Sequence, residues 1–420
     1  MRVLVSSAGT RGDVQPVLAL ALEVRKLGHQ VRLCVPPNFL DWVGGFGIDV
    51  TPMGVVMRHP RSGTASSAPV TPPTAEQLRQ MRERMPDLIT DQFDTVGAAA
   101  KGCDVVLGAN AHQYAARSIA ELNDIPYVNA LYAPIALPSP DHAPPPAAGQ
   151  IWEPGQSADN EQRWNDNAKA WNDRALERIN HNRIRLALEP IYDVLGHILT
   201  DHPWLAADPT LAPLPSTPGM QVTQTGAWIL PDSSPLTPEL EAFLDDGDPP
   251  VHIGFGSMPL PADTSRTLVD VARTVGRRVI LSRGWADLGL IDDEPDCIAI
   301  GNVNQQALFP RVAVIVHHGG AGTTLAAARA GVPQVVIPMF SDQFYWASRM
   351  CNLGIGTSVT IGTLTGEALT AALQEALQPA IAAQARTAAE RVASDGAAIA
   401  AWLLAENHAS GRLGDTECQS

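Results

Sequence analysis

Val316-His317-His318-Gly319-Gly320-Ala321-Gly322-Thr323-Thr324 is the stretch on which the reading of this chain turns. An apolar run, 312–316, leads into it and reads as a buried strand. Residues 325–330 lead out of it as a helix, closed by Gly331 and Pro333. Strand, glycine turn and helix in that order bring backbone N–H groups together, and the helix N-terminus adds a partial charge of roughly +0.5. A side chain in the turn would keep phosphate oxygens from those N–H groups, so glycine is needed there. A lone Gly-x-x-Gly would mark only a bend in a parallel sheet. Flanked by two histidines and two threonines, it reads as the seat of a diphosphate. It is not a P-loop, and no Gly-x-Gly-x-x-Gly fingerprint is present.

The elements around this stretch repeat elsewhere in the chain. Residues 251–255 form a strand with Gly256-Ser257 in its terminal loop, followed by a helix at 268–274 and strands at 278–282, 297–300 and 334–338. In the first half, Val3-Leu4-Val5 is a strand and 6–13 the loop after it. A helix at 17–27 follows, with Pro16 near its start and Gly28 past its end, then a strand at 29–35. That βαβ unit implies a parallel sheet, and the loop after its first strand lies at the carboxyl edge, where ligands bind. Asp13 sits in that loop. A helix at 74–100 follows, with Met81, Met85, Leu88, Ile89 and Phe93 on its apolar face, then a strand at 103–108, a helix at 114–122 and a strand at 126–131.

Two irregular stretches, 51–73 and 134–155, exceed what packing requires and read as binding surfaces, against the alternative of disordered excursions. Trp164 and Trp171, seven apart on a helix at 164–188, read as core or interface. Thr237 caps a helix opening at Pro238, and alanine-rich helices occupy 368–377 and 381–404. The fold class expected is α/β, with two doubly wound Rossmann-like domains facing across a cleft. The divisions expected are a domain at 1–219, a linker at 220–236, a second domain at 237–395, a helix at 396–408 packing back on the first domain, and a tail at 409–420.

A chain of 420 residues suits two domains, and 45% hydrophobic with 17% charged residues describes an ordinary globular protein. A net charge of −15 argues against nucleic acid or an anionic membrane as partner. The five cysteines are scattered and odd in number, which fits neither a zinc site nor a disulfide framework and points to a reducing cytoplasm. The first residues run straight into a strand, leaving no room for a signal peptide, and no apolar run approaches the roughly 20 residues of a membrane span. A monomer is expected. Asp246-Gly247-Asp248 spells a metal-binding pattern of another fold but reads as a solvated turn, so no metal site is assigned.

The stretch 317–324, followed by Ser341-Asp342-Gln343, resembles the donor signature of two-domain glycosyltransferases, and Thr10-Arg11-Gly12-Asp13-Val14-Gln15-Pro16 resembles their acceptor-side loop. Trp204-Leu205-Ala206-Ala207-Asp208-Pro209, Gln224-Thr225-Gly226-Ala227-Trp228-Ile229-Leu230-Pro231 and Ser282-Arg283-Gly284-Trp285-Ala286-Asp287-Leu288 are similar to the actinomycete enzymes that decorate vancomycin-type glycopeptide antibiotics. The resemblance covers nearly the whole chain, most strongly 204–356 and most weakly 51–199.

This resemblance implies the GT-B fold and transfer of a hexose, with inversion, from a UDP- or dTDP-linked sugar to a natural-product aglycone. It implies Asp13 as general base, against the competing reading that Asp13 only caps the following helix. Thr10, Arg11, Gly12, Ser257, His317, His318, Gly319, Gly320, Gly322 and Thr323 would surround the donor phosphates, with Arg11 also able to hold Asp13 ionised. Asp342 and Gln343 would bind the sugar hydroxyls, and the backbone of Val303 would meet the base. Trp285 either lines the base pocket or packs. No cofactor beyond the nucleotide-sugar co-substrate is implied. The acceptor is open between a glycopeptide aglycone and a macrolide, polyketide, lipid or sterol. A nucleotide-sugar epimerase and a non-catalytic partner are the readings from other classes.

Overall fold

The computed structural model describes residues 1–56, 75–146, 159–258, 264–285, 288–292, 294–360 and 364–410. Most of the expected surface 51–73, the end of 134–155 and nearly all of the tail lie outside the described residues, as do Ala286 and Asp287 and the side chains of Met81 and Met85.

Two parallel sheets organise the chain. The first contains β1 (Arg2–Ser7), β2 (Gln30–Val35), β3 (Asp49–Pro52), β4 (Val105–Ala109), β5 (Tyr127–Leu131), β6 (Trp204–Leu205) and β7 (Thr223–Gln224), in the order β3-β2-β1-β4-β5-β6-β7. The second contains β8 (Val251–Gly254), β9 (Val279–Ser282), β10 (Cys297–Ile300), β11 (Val314–His317), β12 (Gln334–Val336) and β13 (Gly356–Ser358), in the order β10-β9-β8-β11-β12-β13. In each sheet the direction of strand addition reverses once, between β1 and β4 and between β8 and β11. Such switch points leave a crevice beyond the carboxyl ends of the strands.

Helices cover both faces of each sheet, so the strands read as continuous apolar runs. Val3, Val5, Leu33 and Leu107 pack on the Arg11–Lys26 helix through Val14, Val17 and Leu18. Leu4, Val106 and Cys34 face the other way, onto Ile89, Phe93, Ile119 and Ile179. The helix Gly396–Ala409 joins the first of these cores through Ala397, Ala400, Ala401 and Leu404. It enters where a Cβ on Gly396 would stand 2.4 Å from the Gly226 carbonyl carbon, so the two glycines let these backbones touch.

The two domains also share an apolar cluster, in which Leu131, Leu205 and Leu211 meet Val336, Trp346, Met350 and Ala385. Arg349 Nε donates to the Leu211 carbonyl at 2.9 Å and the Ala393 N–H to Asp208 Oδ2 at 2.9 Å, closing the edge of that contact. The two domains therefore face each other across a cleft whose floor is packed.

Some elements differ from expectation. The first helix begins at Arg11 rather than Val17, which takes Asp13 out of a loop and into the first helical turn. Thr10 and Asp13 form a capping box that starts the helix early, and Pro16 then removes one i→i−4 bond without ending it. The stretch 381–404 is two helices, Pro379–Ala389 and Gly396–Ala409, the former packed in the cluster between the domains and the latter on the core of the first. Strands β3, β6, β7 and β13 were not expected.

Candidate active site

The first switch point holds Asp13. Its Oδ2 accepts from the Thr10 N–H at 2.8 Å and lies 3.4 Å from Thr10 Oγ1, so the capping role set against catalysis is present in the structure. Its Oδ1 accepts from Asn110 Nδ2 at 2.8 Å. Its backbone carbonyl accepts from the hydroxyls of Ser7 and Tyr132, both at 3.0 Å. Gly9 has φ +131°, and a Cβ there would overlap Asp13 Oδ2 at 2.2 Å. Burial raises the Asp13 pKa, opposed first by the Asn110 bond and then by the bonds from Thr10. Arg11 makes its contacts elsewhere, with its guanidinium 4.7 Å from the Trp42 ring centroid and Nε donating to Gln15 at 3.2 Å. Gly12 is exposed in the same turn.

The second switch point holds the glycine turn. Gly320 is the N-cap of the Ala321–Arg329 helix, so Ala321, Gly322 and Thr323 form its first turn and their N–H groups have no intrahelical partner. Thr324 is turned back, its hydroxyl donating to the Gly320 carbonyl at 3.0 Å.

The two histidines part company. His317 ends β11 fully buried: its ring bonds Gln334 Oε1 through Nε2 at 2.8 Å and accepts from the Gly319 N–H through Nδ1 at 3.1 Å. Both nitrogens are engaged by the fold, and burial pushes the pKa down to about 3. His318 instead lies between the β8 and β11 loops, 2.5 Å from where a Gly320 Cβ would stand and 3.3 Å from where a Gly256 Cβ would stand. Burial holds it neutral, with a pKa of about 4, and its Nδ1 has no protein partner among the described residues. Of the pair, His318 is the one whose ring nitrogen Nδ1 the fold leaves without a partner among the described residues, beside the glycine turn.

Ser257 follows Gly256 on the β8 loop, half-buried. The Trp285 N–H donates to the Gly256 carbonyl at 2.8 Å, and Gly284, at φ +53°, has no room for a Cβ against that same oxygen. Trp285 is thus tied to the loop beside Ser257 and His318. Val303 packs on the cluster around Leu308 and Phe309. Its neighbour Asn304 caps the next helix and donates to the Asp232 and Ser234 carbonyls, at 3.0 and 2.8 Å, joining this loop to the chain that enters the second domain.

After β12 the chain reaches Ser341-Asp342-Gln343 with Ser341 at φ +57°. Gln343 Oε1 accepts the N–H groups of Met339 and Phe340, at 2.8 and 3.3 Å, so its amide braces the loop. Asp342 Oδ2 accepts from Trp346 Nε1 at 3.1 Å. Burial raises the Asp342 pKa to about 6, with a further push from the Asp13 charge. That push brings carboxyls from opposite domains into one electrostatic environment.

A raised aspartate makes the folded chain hold its proton more tightly than the unfolded one. Stability is therefore lost as pH climbs from the unfolded value of 3.8 through about 6. Asp342→Asn is expected to stabilise the protein near pH 7.5 by on the order of 1 kcal/mol, less than the full shift because the group is only partly buried. It should change little near pH 3. Urea denaturation at the two pH values checks this, and equal effects at both would refute it.

Asn110 and Tyr132 were missed by sequence reasoning. The available signal for Asn110 was an asparagine closing an apolar strand at the same sheet edge as Asp13. Among the described residues, no group of three or more His, Cys, Asp or Glu side chains is arranged to hold a metal ion.

Two Rossmann-like sheets, each flanked by helices and facing the other across a cleft, are the architecture of the GT-B fold. Residues 3–137 match the glycosyltransferase family 28 N-terminal domain, and 266–401 match the erythromycin biosynthesis protein CIII-like C-terminal domain. Glycosyltransferase GtfE of Amycolatopsis orientalis is 47% identical over 406 residues, covering 96% of this chain and 97% of that one. Vancomycin aglycone glucosyltransferase from the same organism is 46% identical over 408 residues, with the same coverage. The chain belongs to the family of inverting GT-B glycosyltransferases that includes these vancomycin-type enzymes, and it is a transferase of sugar from a nucleotide donor. Solved structures agree in fold. The glycotransferase of kitacinnamycin superposes with a TM-score of 0.72 at 20% identity, over 96% of this chain and 98% of that one. Glycosyltransferase VinC superposes with 0.66 at 20% identity, over 98% and 100%.

Proposed function

We propose that this enzyme moves a hexose from UDP- or dTDP-linked donor to a hydroxyl of a glycopeptide-antibiotic-like aglycone, with Asp13 as the base. The observation that supports the reading is the packing of the two domains against each other, with the Asp13 turn at one switch point and the glycine turn at the other. The carboxylate of Asp13 takes the proton of the acceptor hydroxyl as that oxygen attacks the anomeric carbon from the side opposite the diphosphate. The nucleoside diphosphate departs with the bonding electrons of the broken C–O bond. The N–H groups of the Ala321–Arg329 helix, with His318, Ser257 and Thr323, stabilise its growing charge.

The Asp342 carboxylate accepts from a sugar hydroxyl, favouring a hydroxyl-rich sugar such as glucose over a deoxysugar, and Trp346 keeps it aimed. Gln343 supports the loop that presents it. The identity with GtfE and vancomycin aglycone glucosyltransferase supports a glycopeptide acceptor. In this reading the enzyme is a cytoplasmic monomer, its buried Cys34, Cys103 and Cys297 remaining thiols.

The test is transfer from UDP-glucose and dTDP-glucose to glycopeptide, polyketide, macrolide and sterol aglycones, read by mass spectrometry. The expected product is a monoglucosylated glycopeptide. Turnover confined to a polyketide or sterol would overturn the acceptor assignment and leave the chemistry intact.

A further inference from the structure

We infer that Asn110 is a positioning residue for sugar transfer, fixing the orientation of the Asp13 carboxylate in the cleft. The inference rests on the reading of Asp13 as base and deepens it.

Asn110 follows β4 at φ +70°, a left-handed conformation that few side chains adopt and asparagine tolerates. Its residue is held from several sides. The backbone N–H donates to the Ala130 carbonyl at 2.7 Å, and its own carbonyl lies 3.4 Å from Asn129 Nδ2. The side-chain Oδ1 accepts the Ala111 N–H at 2.9 Å. With the amide oxygen so engaged, only the NH₂ group remains to meet Asp13, and it does so at 2.8 Å. A flipped amide would set oxygen against oxygen and strand the Ala111 N–H, so one orientation is enforced.

The result is a carboxylate gripped at both ends. Thr10 holds Oδ2 from the same turn, while Asn110 holds Oδ1 from a strand end 97 residues away. Rotation of the carboxylate plane would break one grip or the other. The direction of the lone pairs left for an acceptor hydroxyl is therefore set by the fold before any acceptor arrives, as proton transfer by a positioned base requires. A turn that needed only a positive φ would be served better by glycine. The asparagine supplies the amide. Burial, which disfavours the ionised carboxylate, is opposed by this bond ahead of any other.

The experiment compares wild type with Asn110→Gly, Asn110→Asp and Asp13→Asn, using UDP-glucose or dTDP-glucose and an aglycone that the wild type glycosylates. Glycine takes the φ of +70° without strain, and aspartate keeps the acceptor for the Ala111 N–H, so two folded variants are in hand. Asn110→Gly is expected to lower kcat roughly 10- to 100-fold, the size of one hydrogen bond to a charged group, with the donor KM unchanged. The acid limb of its pH–kcat/KM profile should move to higher pH, since the ionised base has lost a donor. Asn110→Asp, which sets a second carboxylate against the first, should move that limb further.

Wild-type kcat and an unmoved acid limb in both Asn110 variants, beside an inactive Asp13→Asn, would overturn the inference while leaving Asp13 as base. Wild-type turnover by Asp13→Asn would overturn both.

Discussion

Asp13→Ala is expected to lower kcat by roughly 10²–10⁴-fold, the usual contribution of a positioned general base, while UDP affinity by calorimetry stays within about twofold. The expectation separates the two roles that the structure gives this residue. As the N3 partner of Thr10, Asp13 closes a capping box, and losing it should cost about 1 kcal/mol of stability. A cap alone, however, would not touch turnover in enzyme that remains folded. The raised pKa supplies a second signature: wild-type kcat/KM should fall on the acid side at a pH above the ordinary aspartate range, because the base must be ionised. A folded Asp13→Ala enzyme that transfers sugar at the wild-type rate would leave Asp13 as a cap and nothing more.

How far the sequence disclosed this arrangement depended on which physical signal each residue carried. The β10 strand, Cys297–Ile300, lies where its apolar run predicts, and the glycine turn at 319–322 joins strand to helix as its pattern requires. Glycines and apolar runs speak locally. Strands β6 and β7 are two residues long at the sheet's edge, too short for any periodicity to mark them. Pro16 looked like a helix start, but the bonds between Thr10 and Asp13 outweighed it. His317 and His318 are chemically identical in the sequence. The burial of His317 at the end of β11, with Gln334, 17 residues on, and the Gly319 N–H to meet its two nitrogens, decides which of them the fold engages. Asn110 was silent for the same reason, since its partner is nearly a hundred residues away and is brought to it by the pairing of β1 with β4. Local chemistry was legible, and contacts created by the crossover of the sheet were not.

Gly319→Ala and Gly322→Ala, three residues apart in one turn, are expected to fail in opposite ways. Gly319 sits at φ +88°, and a Cβ would come within 2.8 Å of Val336 Cγ1 and 3.1 Å of the Gln343 carbonyl oxygen. The left-handed conformation costs an alanine roughly 1–2 kcal/mol, and overlap in a packed core about 1–3 kcal/mol more. Relief by movement would displace β12 and the start of the Gln343–Asn352 helix, and with them Asp342. Gly319→Ala should therefore lower stability by about 2–5 kcal/mol and abolish UDP binding together. Gly322 is helical and exposed, with no atom within 4 Å of an added Cβ. Alanine there should leave stability unchanged or raise it by up to about 1 kcal/mol, as alanine does for glycine within a helix. In the proposed donor site, however, its methyl group would stand where phosphate oxygens approach the helix N-terminus, so UDP affinity should fall about tenfold or more. Urea midpoints and UDP calorimetry on both variants read the contrast. A Gly322→Ala enzyme that binds UDP as the wild type does would mean that the diphosphate does not rest on this helix, and the donor site would have to be sought elsewhere in the cleft.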